Sequence, residues 1–123
     1  MKKEAFEKAF AEAKASDFNM ELVKQWNEAG NQNAIEATGD LTIRSIIAME
    51  ELAECSQAIS KSLRKEDFRT NLIEEIADVY SMLYHVMSKH NITEEDIQKA
   101  RLVKMKRDLA RWSKGKYDFN KNK

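Results

Sequence analysis

Proline is absent from this chain, and glycine occurs only three times in 123 residues. Tight hairpins draw on Gly, Pro and Asn-Gly or Asp-Gly pairs, so a sheet fold with many short connections is excluded. Ala, Glu, Lys, Leu, Ile and Met dominate instead, and these side chains lose least on entering a helix. The composition predicts an all-α fold, a bundle of about four to five helices. The length fits one domain able to bury a real core. No internal repeat is visible beyond a pair of acidic motifs, and no segment is of low complexity.

The charge balance narrows the partners. Lys plus Arg and Asp plus Glu both number 21, so the net charge is zero although 34% of the chain is charged. A neutral chain lacks the field of a general nucleic-acid binder. Its charges are patterned, with acids concentrated mid-chain and bases near the end. No apolar run approaches the roughly 18 residues of a membrane span, and the basic start Met1-Lys2-Lys3 is not followed by a signal-type apolar stretch. One cysteine, Cys55, makes no internal disulfide framework and suits a reducing cytosol. The expectation is a soluble cytoplasmic protein with neither nucleic acid nor membrane as partner.

Phe6, Ala9, Phe10 and Ala13 make an apolar stripe on a helix over residues 2–15, and Ser16-Asp17 is a stop and restart. A short helix through Leu22, Val23 and Trp26 runs to about Ala29. Gly30-Asn31-Gln32-Asn33 has the chemistry of a break, and Ile35 to Thr38 adds a helical turn ended by Gly39. Asp40 is placed as N-cap of a long helix over residues 41–64. After the charged connection Arg64-Lys65-Glu66-Asp67, the next helix runs from Phe68 to Lys89, and His90-Asn91 ends it. Thr93, followed by Glu94, Glu95 and Asp96, caps a last helix reaching Trp112. The polar tail from Ser113, with Gly115, is expected to fray.

Two acidic motifs stand on consecutive predicted helices, Glu50-Glu51-Leu52-Ala53-Glu54 and Glu74-Glu75-Ile76-Ala77-Asp78. Residues three or four apart share a helix face. On the first helix Ile43, Ile47, Glu50 and Glu54 fall within about 60° of one another, with Lys61 on the same line and Glu51 flanking it. Ala48, Leu52, Ile59 and Leu63 occupy the opposite side, so this helix is expected to be interior. On the second, Leu72, Glu75, Asp78, Val79, Met82 and Val86 share a stripe roughly 120° wide. A single Glu-x-x-Glu is ordinarily a solvated helix face. Two such pairs, both set among packing residues, are a different matter. Facing carboxylates buried without a partner cost several kcal/mol or take up protons, and cations relieve both.

All-oxygen ligands favour a hard cation, magnesium or manganese. Zinc is disfavoured by a single cysteine and two histidines, His85 and His90. Met82 and Met87 stand three residues before those histidines, so the Glu-x-x-His motif of di-iron bundles is absent. His85 reads as a helix-surface or packing residue and His90 as a helix end. No calcium loop or glycine-rich phosphate loop occurs. A magnesium cluster still suits polyphosphate chemistry. On the last helix Lys104, Arg107 and Arg111 share a stripe opposite a packing face of Leu102, Met105, Leu109 and Trp112. By itself that stripe is a solvated helix side; beside an acid cluster it is a candidate phosphate clamp, as is Lys61.

The pattern Glu-Glu-x-x-Glu, a spacer, then Glu-x-x-Asp resembles the motifs of the all-α nucleoside triphosphate pyrophosphohydrolases, the MazG-like and dimeric dUTPase superfamily. Ala58-Ile59-Ser60-Lys61, Asn91-Ile92-Thr93-Glu94-Glu95-Asp96-Ile97 and Lys104-Met105-Lys106-Arg107 with Arg111 extend the likeness across residues 35–112. The resemblance implies a MazG-like bundle in which Glu51, Glu54, Glu75 and Asp78 hold magnesium, with Glu50 as a helper. It implies water attack at the α-phosphorus of a nucleoside triphosphate, with release of a monophosphate and pyrophosphate. Lys61, Lys104, Arg107 and Arg111 would hold the triphosphate. It also implies a homodimer or homotetramer. Residues 1–34 match no motif of the family and form an N-terminal helical extension to the 35–112 core, followed by the tail 113–123. Arg44 stands about two turns before the first acids, where the resemblance leads one to expect an uncharged polar residue.

Two other functions stay open on the sequence. One is a helical adaptor without chemistry, and the other is a related hydrolase of a modified or phosphoribosyl nucleotide. Base choice is not readable, although Phe18, Trp26, Asn31, Gln32, Asn33, Tyr80, Tyr84 and Trp112 include side chains that stack on or read bases; each is first a core or loop residue.

Overall fold

A computed structural model of the protein describes residues 3–16 and 19–113. The described residues form five α-helices and no strand: α1 (Lys3–Ala15), α2 (Met20–Thr38), α3 (Thr42–Ser62), α4 (Arg69–Lys89) and α5 (Glu94–Ser113). The predicted all-α class is the one observed. The chain divides into two compact units, Met1–His90 with α1 to α4 and Asn91–Lys123 with α5. No helix among the described residues is long and apolar enough to cross a membrane.

In the first unit α3 and α4 form the main pair, and α2 packs against both. Lys89 Nζ donates to Thr42 Oγ1 at 3.2 Å near one end, while Glu51 and Glu54 meet Glu75 further along. As the α3 number rises its α4 neighbour falls, so the two helices run antiparallel. Among the described residues the buried apolar ones are Ala34, Leu41, Ala48, Cys55 and Ala58. On α3 the buried positions Ala48, Cys55 and Ala58 recur at the spacing of a coiled-coil seam, and Glu51 completes the a/d repeat between them. Small side chains there let α4 come close.

This seam corrects the expected orientation of α3. Glu50 and Glu54 are exposed, whereas Glu51 sits on the packing line. Leu52, Ile59 and Leu63 are exposed too, so α3 is not the interior helix that its apolar residues on two faces suggested.

The expected break at Gly30–Asn33 does not occur, because α2 runs through it without interruption. Gly30 and Asn31 are spent on contacts with α3 and α4 rather than on a turn. A Cβ at Gly30 would lie 3.0 Å from His85 Cε1, and Arg44 Nη2 donates to the Gly30 carbonyl at 3.0 Å. The helix ends where expected, at Gly39 with φ of 90°, a left-handed conformation glycine adopts at little cost.

The remaining ends follow local chemistry. Leu41, not Asp40, occupies the N-cap of α3, but Asp40 Oδ1 still accepts from the Thr42 amide at 2.8 Å. Asp67 before α4 and Asn91 after it have φ of 60° and 54°, a region that Asp and Asn tolerate better than other residues with a Cβ. In the second unit Thr93 Oγ1 accepts from the Asp96 amide at 3.1 Å and Asp96 Oδ2 accepts from the Thr93 amide at 2.9 Å, a reciprocal capping box. Leu102, Met105 and Leu109 of α5 are exposed. Asp17, Phe18, the Trp112 side chain and the tail with Gly115 lie outside the described residues.

Candidate functional site

The acid cluster lies on the α3–α4 seam. Glu51, Glu54 and Glu75 each bring one carboxylate oxygen within 4.8 Å of the others. The seam turns Glu51 inward from α3, Glu54 follows three residues later on the adjoining edge, and Glu75 comes from α4. Glu51 Oε2 and Glu75 Oε2 are buried and, among the described residues, have no hydrogen-bond partner. Leaving such an oxygen unsatisfied costs about 1–3 kcal/mol, and more when it is charged.

Electrostatics brings in the other acids. Burial pushes the Glu51 carboxyl above the usual carboxylate range, and repulsion from Asp78, Glu54, Glu75 and Glu50 pushes it the same way. Burial also raises Glu75, assisted by Asp78, Glu54 and Glu74 and opposed by Lys61. Asp78 is therefore the strongest like charge felt by both half-buried acids, although it is exposed and does not join the three converging oxygens. Glu50 is exposed and acts on Glu51 alone of the two. Lys61 is near enough to favour ionised Glu75.

Such a set fits a hard divalent cation. The donors are all oxygen, two of them are orphaned, and repulsion holds them apart. Two oxygens on one octahedral magnesium are about 3.0 Å apart when cis and about 4.2 Å when trans, from its bond length of ~2.1 Å, so three carboxylate oxygens that lie within 4.8 Å of one another would draw closer together to share an ion. Manganese makes the same demand with slightly longer bonds.

Lys104, Arg107 and Arg111 lie on α5, in the second unit. Arg107 Nε is 3.7 Å from Asp108 Oδ1. Among the described base-reading candidates, Trp26, Gln32 and Asn33 of α2 and Tyr80 of α4 are exposed. Tyr84 is half-buried and meets the His85 ring edge-on at 5.6 Å.

One polar group escaped the sequence reading. His85 is only 4% exposed, and its Nδ1 meets Asn31 Oδ1. Asn31 Nδ2 donates to Ser88 Oγ at 2.9 Å, and the Ser88 hydroxyl donates to the Tyr84 carbonyl at 2.9 Å. Read as a packing residue, His85 is indeed packed, but against a polar helix face. The available signal was Gly30-Asn31 standing one turn before Ala34 in a stretch that is otherwise helix-forming.

Compared with protein-family models, with characterised proteins and with solved structures, the chain has no match. The likeness to the pyrophosphohydrolases rests on its motif residues.

Proposed function

We propose that this chain is a magnesium-dependent nucleoside triphosphate pyrophosphohydrolase of the MazG-like kind. The observation that carries the reading is the pair of buried, partnerless oxygens, Glu51 Oε2 and Glu75 Oε2, converging with Glu54. Three acids sharing a small-residue seam lower stability unless a cation joins them. The family motif places acids at these same positions.

Glu51, Glu54 and Glu75 would hold the ion, with Asp78 beside them. Bound magnesium, or manganese in its place, supplies neutralisation of phosphate oxygens and a lowered pKa for water. Glu50, the helper that the resemblance implies, would take the proton of the attacking water. Attack at the α-phosphorus breaks the α–β anhydride and yields a nucleoside monophosphate and pyrophosphate. Lys61, already acting on Glu75, offers a cation to the phosphates. The same role for Lys104, Arg107 and Arg111 stands on the resemblance alone.

The test is pyrophosphate release from a panel of ribo- and deoxyribonucleoside triphosphates with magnesium. At least one substrate is expected to turn over, and Glu75→Gln or Glu54→Gln to lose about a hundredfold or more of that rate with helicity retained. A metal-loaded protein that hydrolyses none of them would sink the assignment.

The resemblance also implies a dimer or dimer of dimers. Met49, Leu52 and Ile59 on α3, with Ile76, Tyr80 and Leu83 on α4, are exposed and favour self-association. Sedimentation equilibrium is expected to return a multiple of the 14.3 kDa chain mass; a constant single-chain mass across concentrations counts against it. These exposed apolar side chains equally favour the second reading, a helical adaptor. Magnesium would then leave the melting temperature unchanged.

A further inference from the structure

His85 is buried among three helices, and the proposed chemistry makes no use of it. Its hydrogen bonds have only one consistent direction. The Ser88 hydroxyl is committed to the Tyr84 carbonyl, so Ser88 Oγ accepts from Asn31 Nδ2. The Asn31 amide oxygen then faces His85 and needs a donor. His85 must carry its proton on Nδ1, which leaves Nε2 as a bare lone pair. That nitrogen faces the backbone of α2, where a Cβ at Gly30 would lie 3.3 Å from it. Above it, Arg44 of α3 donates to the Gly30 carbonyl.

A second proton has no place in this arrangement. Protonated Nε2 needs an acceptor, and among the described residues this nitrogen has no hydrogen-bond partner. Burial holds the ring below the usual histidine range, and that same Arg44 adds to it by repelling an imidazolium. No acid from α1, α2, α3 or α4 is among the charges that act on it. On its own helix the ring meets Tyr84, and its α2 partner, Asn31, is uncharged.

We propose that His85 is a proton-operated latch between α2 and the α3–α4 pair. The neutral Nδ1–H ring holds Asn31 and admits Gly30, and protonation at Nε2 releases the C-terminal half of α2 from both helices. Release also frees Arg44 from the Gly30 carbonyl. Arg44 precedes Glu51 by seven residues, and His85 follows Asp78 by seven. On antiparallel helices Arg44 therefore stands about 10 Å from Glu51, and His85 about 15 Å from Glu75 of the acid cluster, toward the same end. The metal ligands named above take no part in the latch.

The experiment is an NMR titration of the full chain from about pH 8 to about pH 5, combined with amide hydrogen exchange corrected for its intrinsic pH dependence. At the upper end the ring is expected to be the Nδ1–H tautomer. As it titrates, amides between Gly30 and Thr38 should exchange faster, tenfold for each unit by which the ring's pKa in the closed state lies below that in the open state. The protection of α3 and α4 should not follow. His85→Gln should remove the pH dependence. Asn31→Asp sets a carboxylate against Nδ1 and stabilises the imidazolium, so acid release should be abolished. An Nε2–H tautomer, titration without faster α2 exchange, or unchanged acid release in Asn31→Asp would each overturn the latch. If His85→Gln fails to fold, the native chain and Asn31→Asp decide the matter.

Discussion

Glu51 and Glu75 show how one residue's surroundings reverse its ordinary pH behaviour. Both carboxyls sit above the usual range, through burial first and like charges second. A group whose pKa is higher in the folded than in the unfolded state contributes fully to stability below its unfolded value, about 4.3 for glutamate, and that contribution is lost as pH rises through the folded value. Without metal, Glu75→Gln is therefore expected to melt higher than the native chain at neutral pH, by on the order of 1 kcal/mol. The gap should close as pH falls toward the ordinary glutamate range. Melting curves in chelator across pH measure this, and a variant that melts lower throughout would show the acids to be satisfied. His85 has the opposite sign. Its folded pKa is depressed, so its contribution is present above about 6.5 and is lost as pH falls. The two trends have different windows and can be separated by mutating one group at a time.

At the scale of elements, α2 carries the main lesson about reading turns. Gly30 inside a helix costs about 1 kcal/mol relative to alanine, a loss recovered where a close approach needs the missing Cβ. Gly30→Ala should gain that propensity yet press on His85 Cε1 from 3.0 Å, and overpacking costs about 1–3 kcal/mol. The His85 ring is buried and tied to Asn31, so it yields little, and a net loss of about 1 kcal/mol is expected. Thermal melts check this; a stabilised variant would mean that Gly30 is a passive lapse in the helix. The sequence showed α3, α4 and α5 to within a residue or two, because Asp40, Asn91 and the Thr93–Asp96 box act locally. It misplaced the end of α2 because Gly-Asn looks alike whether it makes a turn or fits a neighbouring helix. The candidate site was legible as a spacing of acids. Which acid turned inward was not, since Glu51 gains its place from Ala48, Cys55 and Ala58 accepting α4, a tertiary choice that the larger apolar side chains nearby disguised. The His85 relay joins positions 54 and 57 residues apart, and no local pattern announces such a pairing.

At the scale of the whole molecule, the buried apolar residues among those described are small apart from Leu41, and many large apolar ones stand outside. Ala34, Ala48, Cys55 and Ala58 are buried, whereas Trp26, Met49, Leu63 and Tyr80 are among the most exposed. Little is left to hollow out of such a core, so the usual large-to-small substitutions have few targets in it. Its vulnerability lies in enlargement. Ala58 is one turn beyond Glu54 on α3 and belongs to the line that carries Glu51. Ala58→Leu should wedge α3 away from α4, at about 1–3 kcal/mol, and should weaken magnesium affinity with every acid intact. Calorimetric titration would check this, and undiminished affinity would mean that the acids do not depend on the seam. Read in this way, the alanines act as a spacer gauge. The width of a methyl group sets the gap across which opposing carboxylates meet, and so would tune the affinity of the proposed ion site from positions outside it.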